Sequence, residues 1–131
     1  MNVEIRIDPY PGQHDINDLW RDTWEIDGIA DFNAVLTRSL VHVGAFIDGT
    51  RLVGFANMAW DGGFHAFLVD VCVHPDHRDE GVGQKLVQTI IDIARNRGAK
   101  WIHVDFEPHL KPFYLSCGFE STEAGVLKIR S

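Results

Sequence analysis

The stretch that most constrains the fold is residues 71–97, VCVHPDHRDEGVGQKLVQTIIDIARNR. An apolar run ends at Val73, a turn follows through His74 and Pro75, and Gly81 and Gly83 open a long amphipathic segment. Val82, Leu86, Val87, Ile90, Ile91 and Ala94 recur at helical spacing, while Gln84, Lys85, Gln88, Asp92 and Arg95 fall on the other face. The spacing predicts a helix over 82–97 with Gly98 at its C-cap. Where a strand hands over to a helix through glycines, backbone N–H groups converge at a helix N-terminus that carries about half a positive charge. With no Cβ in the way a phosphate can come close. The stretch therefore reads as a candidate pyrophosphate cradle.

The flanking chain supplies a sheet for that helix to cover. Residues 3–7 (VEIRI) alternate and predict a strand, ended by Pro9, Pro11 and Gly12. A helix is expected from His14 to Thr23, with Ile16, Leu19, Trp20 and Thr23 near one face, then a break at Glu25–Gly28. Asp31 can cap a second helix running to Leu40, with Phe32, Val35, Leu36, Ser39 and Leu40 on its apolar side. Strands follow at 41–47, 51–60 and 65–73, joined by Asp48-Gly49-Thr50 and Asp61-Gly62-Gly63 turns. After the long helix, residues 100–106 (KWIHVDF) read as a strand parallel to the one before the helix, in a right-handed βαβ unit. A short helix over 113–117 and a final hairpin from Phe119, with Gly125–Arg130 as its second arm, complete the order. The order β-α-α-β-β-β-α-β-α-β-β describes a single α/β domain over residues 1–131 with a mixed sheet and no internal repeat, low-complexity tract or linker.

Formal net charge is −7, and no basic stripe interrupts it, so the chain does not read as a nucleic-acid binder. An acidic surface suits a cationic small molecule or amine, and any bound polyanion must be held by local N–H groups against that field. No apolar run reaches the roughly 18 residues of a membrane span. The first ten residues, MNVEIRIDPY, alternate like a strand and carry no cationic-then-apolar signal, so the expectation is a cytoplasmic protein without membrane contact. Cys72 and Cys117 are too few and too far apart for a disulfide framework and read as small buried hydrophobes.

The cradle itself is Arg78-Asp79-Glu80-Gly81-Val82-Gly83. No Gly-Lys-Ser/Thr follows, so it is not a Walker loop, and G-x-G-x-x-G is absent, so it is a poor Rossmann fingerprint. A second motif, Phe113-Tyr114-Leu115-Ser116-Cys117-Gly118-Phe119, lies downstream, and the hairpin DGTRLVGFA spans Asp48–Ala56. In this order the segments resemble the GNAT superfamily of N-acetyltransferases. Arg78–Gly83, after Val73-His74-Pro75, is similar to its phosphate-binding motif Q/R-x-x-G-x-G/A, and 113–119 to its F-Y-x-x-x-G-F signature. The resemblance covers nearly the whole chain.

That resemblance implies a single α/β domain with a mixed central sheet, a splayed parallel strand pair and about four helices. It implies acetyl-CoA in the V between Val69–Val73 and Trp101–Asp105, where backbone freed by splaying serves the pantetheine amides. Backbone at Val71, Cys72 and Val73 would contact the pantetheine arm, and a backbone N–H near Cys72 or Val73 would polarise the thioester carbonyl. Arg78, Asp79, Glu80, Gly81, Val82, Gly83 and Gln84 would hold the pyrophosphate. Asp79 and Glu80 replace residues that are often small or basic in the family. Arg78 and Lys85 balance them formally, so backbone must do the holding, with weak affinity as the consequence. Tyr114 stands at the family's general-acid position, and a phenol with a reference pKa of about 10 can donate to a thiolate formed late.

Candidates for the base are Asp70, His103, Asp105 and Glu107, on or next to the two central strands. Asp70 is favoured, because a carboxylate within the apolar strand FLVDVCV needs a reason to be there. Alternation puts His103, Asp105 and Glu107 on one side, and Asp70 opposite to Val69 and Val71 unless a bulge resets the register. Glu107 stands where many relatives place a cofactor-contacting Asn. His65, with His103 and Asp105, is a candidate for the acceptor pocket, and Trp20, Trp24, Phe32 and Trp60 for its aromatic wall, against the plainer roles of core packing and solvent exposure. The implied reaction is acetyl transfer to a primary amine of a small cationic acceptor. A catalytically inactive CoA- or partner-binding module is the alternative. A metal-binding protein is a remote one, since His74-x-x-His77 and His103-x-Asp105-x-Glu107-x-His109 match no zinc spacing and no metal is expected. Dimerisation is common in the family, and the C-terminal hairpin is the expected contact for a homodimer.

Overall fold

The computed structural model describes residues 2–26, 28 and 30–131. Five strands, β1 (Glu4–Ile7), β2 (Val41–Ile47), β3 (Arg51–Trp60), β4 (His65–Val73) and β5 (Trp101–His103), form one sheet in the order β1-β2-β3-β4-β5. The first three pairings are antiparallel and β4–β5 is parallel. Four helices accompany them: α1 (Gln13–Trp24), α2 (Phe32–Leu36), α3 (Val82–Asn96) and α4 (Lys111–Ser116). This is the α/β class with a mixed sheet that the residue pattern predicts. The expected break at Glu25–Gly28 includes Asp27, which lies outside the described residues.

Each face of the sheet carries its own core. Leu86, Val87 and Ile90 of α3 pack on Val43, Val53, Ala56, Met58 and Leu68. On the other face Ile16, Leu19 and Trp20 of α1 and Phe32 and Leu36 of α2 close over Phe46, Phe55 and Cys72. Two bulges decide which side chain meets which core. Between β2 and β3 the register moves from Ala45↔Gly54 to Phe46↔Leu52, so Val53 is an extra residue. Between β3 and β4 it moves from Phe55↔Cys72 to Asn57↔Val69, so Asp70 and Val71 together oppose Ala56. Asp70 takes a left-handed φ of 57° there.

Buried His42 ties the start of the chain to the end of α3. Its Nε2 accepts the Tyr10 N–H at 2.9 Å, and its own N–H donates to Asp8 at 3.0 Å. Arg97 donates to the other Asp8 oxygen at 2.8 Å and to the Leu40 carbonyl at 3.0 Å. Burial lowers the His42 pKa, against the pull of the Asp8 carboxylate.

Three sequence expectations about the second helix and the C-terminal segment need correction. The second helix stops at Leu36, because Leu40 already donates its N–H to the Met58 carbonyl at 2.8 Å and joins the sheet. Asp31 at its start has φ 55° and makes no side-chain cap; Gln13 Oε1 accepts the Phe32 N–H instead, at 2.6 Å. The C-terminal hairpin is absent among the described residues: no strand follows α4, and Val126, Leu127 and Ile129 are exposed. The first arm would be polar (ESTEAG) apart from Phe119, which is spent on packing against Tyr114. An isolated hairpin is marginal in water, and the adjacent edge strand β5 is only three residues long.

Candidate active site

Pairing between β4 and β5 is confined to His65–Phe67 with Trp101–His103. Beyond Phe67 the strands part: β4 runs on to Val73 while β5 ends at His103, short of the expected Phe106. The β5-facing backbone of β4 from Leu68 onward thus has no ladder partner, which is the V expected between Val69–Val73 and the downstream strand. Val71 and Val73 turn toward α3 and Cys72 toward α1.

At the mouth of the V, β4 gives way to the cradle. His74 accepts the Asp76 N–H on Nδ1 at 3.1 Å, which leaves its Nε2–H to donate to Asp22 of α1 at 3.2 Å. A helical turn over Pro75–His77 leads to Asp79 at φ 64° and Gly81 at φ 82°. The first bond of α3 is Lys85 N–H to the Gly81 carbonyl, 3.1 Å. No N–H from Asp79 to Gln84 has an acceptor among the described residues, as expected of a helix N-terminus. A Cβ at Gly83 would touch the Phe113 ring at 3.4 Å, so this glycine lets α3 sit against α4; Gly81 is needed for its backbone angle and faces open space. Glu80 turns to His77, with Oε1 and Nδ1 3.3 Å apart. Arg78 and Lys85 have no ion-pair partner among the described residues, so both cations are free to meet an anion.

Tyr114 is buried in α4, stacked on Phe106 at 4.9 Å and edge-on to Phe113 and Phe119. Its hydroxyl bonds to no described residue and is not sealed from solvent. Burial raises its pKa to about 12, helped by the Cys117 thiol and the Asp105 carboxylate. Asp70 is half-buried at its bulge. Burial pushes its carboxyl above the ordinary range, and a hydrogen bond from the Asn57 side chain pulls it partly back. Burial also drives the Cys72 thiol well above its ordinary pKa, so it carries no thiolate at neutral pH.

The remaining candidates divide by face. His65, Phe67 and His103 meet on the face away from α3, with His65 Nδ1 and His103 Nε2 3.0 Å apart and Phe67 stacked on His103 at 4.9 Å. Trp24 lies against Trp20, which packs on Phe32. Trp60 does not join that wall: paired with Ala66, it sits on the α3 face, because the bulge at Val53 reverses the alternation of β3. Asp105 and Glu107 are exposed beyond the end of β5. Among the described residues no group of three or more His, Cys, Asp or Glu is placed to hold a metal, and no helix is long and apolar enough to cross a membrane.

Asn57 is the residue that sequence reasoning missed. It is 2% exposed on the α1 face of β3, and the argument that singled out Asp70, a polar group inside an apolar strand (LVGFANMA), applies to it equally.

Comparison with known proteins agrees with this geometry. The model of the Acetyltransferase (GNAT) family matches residues 2–119. The uncharacterized N-acetyltransferase ycf52 of Gracilaria tenuistipitata var. liui is 28% identical over 130 residues, 96% of this chain and 71% of that protein. The chain spans only 44% of two further curated relatives. A solved protein of unknown function from meticillin-resistant Staphylococcus aureus, a probable acetyltransferase, matches with a TM-score of 0.84 at 21% identity, over 99% of this chain and 100% of that one. The aminoglycoside N-acetyltransferase AAC(6')-Iy, solved in complex with CoA, matches with a TM-score of 0.80 at 21% identity, over 98% and 95%. Structural likeness at such identities speaks for the fold, and the family match spans strands, cradle and α4 together. The chain belongs to the GNAT family of N-acetyltransferases.

Proposed function

We propose that the protein transfers an acetyl group from acetyl-CoA to a primary amine of a small cationic acceptor, by direct attack. The observation that carries this reading is the parting of β4 from β5 after Phe67, directly beside a helix N-terminus with unpaired N–H groups. Free β4 backbone at Val71, Cys72 and Val73 suits the pantetheine amides. The N–H groups of Asp79–Gln84, with Arg78 and Lys85, suit the pyrophosphate. Acetyl-CoA, when bound, supplies the acetyl group activated as a thioester.

Asp70 is the base in this reading. A carboxyl raised by burial holds a proton from an ammonium more readily than an exposed one. The N–C bond forms as the C–S bond breaks, the amine proton passes to Asp70, and Tyr114 donates to the departing sulfur as the acid. A phenol at about 12 stays protonated at working pH and gives up its proton only late. Cys72 is a neutral buried thiol, which argues against an acyl-enzyme on that residue. His65, His103 and Trp24 border the acceptor side in this proposal.

The acidic chain and a structural neighbour named as an aminoglycoside acetyltransferase both favour a cationic amine. Thiol release from acetyl-CoA with a panel of polyamines, aminoglycosides, amino acids and N-terminal peptides tests the class. At least one amine should accelerate release, and a flat response across the panel would refute it. A homodimer belongs to the same proposal, supported by exposed Val126, Leu127 and Ile129 and the open outer edge of β5. Sedimentation showing a monomer at micromolar concentration would remove it.

A further inference from the structure

Three buried side-chain polar atoms have no hydrogen-bond partner among the described residues: Trp20 Nε1, Thr23 Oγ1 and Asn57 Oδ1. Trp20 and Thr23 belong to α1, and Asn57 lies on the face of β3 that α1 covers. Asn57 is the deepest polar group of the three that borders a carboxylate. A carbonyl oxygen buried without a donor costs stability until one reaches it.

Among the described residues no donor reaches it: Trp20 Nε1 and Thr23 Oγ1 are donors on the covering helix, but neither bonds to it. Across the sheet His42 pairs with Asn57, but its Nε2 accepts the Tyr10 N–H and its Nδ1 faces Asp8 at 3.4 Å. On β4 the partner of Asn57 is apolar Val69. Asp70 follows Val69 directly in the bulge, so its carboxylate borders the Asn57 side chain. Two acceptors, one amide oxygen and one carboxylate, therefore lie side by side at the bulge. What completes such a pair is a single atom that carries several N–H bonds and a positive charge, a primary ammonium.

We propose that Asn57 Oδ1 and Asp70 together seat the ammonium of the acceptor, one N–H to each. This rests on the amine-transfer reading above and adds to it the group that recognises a primary amine by its N–H bonds. Asp70, partly exposed, is the entry side, and Asn57 takes the second N–H behind it.

The test uses n-propylammonium chloride and, at equal ionic strength, n-propyltrimethylammonium chloride, which has the charge but no N–H. NMR titration of the wild-type protein, followed at the Asn57 side-chain amide and the Val69 backbone amide, should show saturable shifts with the first cation only. In Asn57→Leu the affinity for n-propylammonium should fall by about tenfold or more, with Asn57→Ser, which keeps an oxygen, losing less. Equal shifts from both cations, no saturable shift from n-propylammonium, or unchanged affinity in a folded Asn57→Leu protein would each overturn the seat. The wild-type comparison decides even if the variant fails to fold. Thiol release separates the two readings. Release that ignores Asn57 removes the seat and keeps the transfer, whereas N–H-selective binding without release from any amine keeps the seat and removes the transfer.

Discussion

Gly81→Trp is expected to abolish acetyl-CoA binding while the protein stays folded. Gly81 has φ 82°, a region that costs an L-residue about 1–2 kcal/mol, and nothing lies within 4 Å of where its Cβ would be. A side chain there therefore meets no core atom at its Cβ, and in the proposed site an indole would compete for the space beside the unpaired N–H groups of α3 that a pyrophosphate would need. Net charge makes those N–H groups decisive. The chain carries −7, Asp79 and Glu80 stand in the loop, and of the two only Glu80 has a side-chain partner among the described residues, His77. Calorimetric titration of acetyl-CoA should show no heat of binding in the variant, with the melting temperature lowered by a few degrees only. Unchanged affinity would move the cofactor site elsewhere.

Tyr114→Phe is the second large effect. The ring stacked on Phe106 is kept, so the core should tolerate the change and acetyl-CoA affinity should stay within a few-fold. In the proposed mechanism the lost hydroxyl donates to a developing thiolate, and a hydrogen bond to a charged group is worth about 1.5–3 kcal/mol, so kcat should fall roughly 10- to 100-fold. Tyr114 stays protonated to about 12, so it contributes no fall in rate on the alkaline side of any ordinary assay. As the proposed base, Asp70 must be ionised to take a proton, so the rate should rise with pH through a midpoint above the ordinary carboxylate range and be lost below it. An unchanged kcat in Tyr114→Phe would assign that residue to packing alone.

Much of this architecture was legible in the residues. Helical spacing after Gly83 gave α3 to within a residue, Asp48-Gly49 and Asp61-Gly62 placed the hairpins, and the strand-to-glycine hand-over marked the cradle. What escaped was parity. Side-chain alternation counted from Leu52 puts Trp60 on the α1 face, yet one extra residue at Val53 moves it to the other side. Gly54, whose absent Cβ leaves room for Leu86, was the only hint of that bulge. At Asp70 the same device works in favour of the site, since the bulge sets it beside Asn57. The C-terminal segment shows the opposite error: GVLKIR has strand-like content, but pairing is a property of the neighbour, and β5 offers three residues. Asn57 was visible in principle, as a lone amide in an apolar strand, but its missing partner is a fact of three dimensions.

The central claim is that the parted strands and the cradle serve acetyl transfer to an amine. It is tested most directly by measuring thiol release from acetyl-CoA in wild-type protein and Gly81→Trp side by side, with the acceptor that responds best in the amine panel. The predicted result is amine-dependent release in the wild type and none above background in the variant. Tight acetyl-CoA binding with no release for any amine would contradict it and leave a CoA-binding module without catalysis.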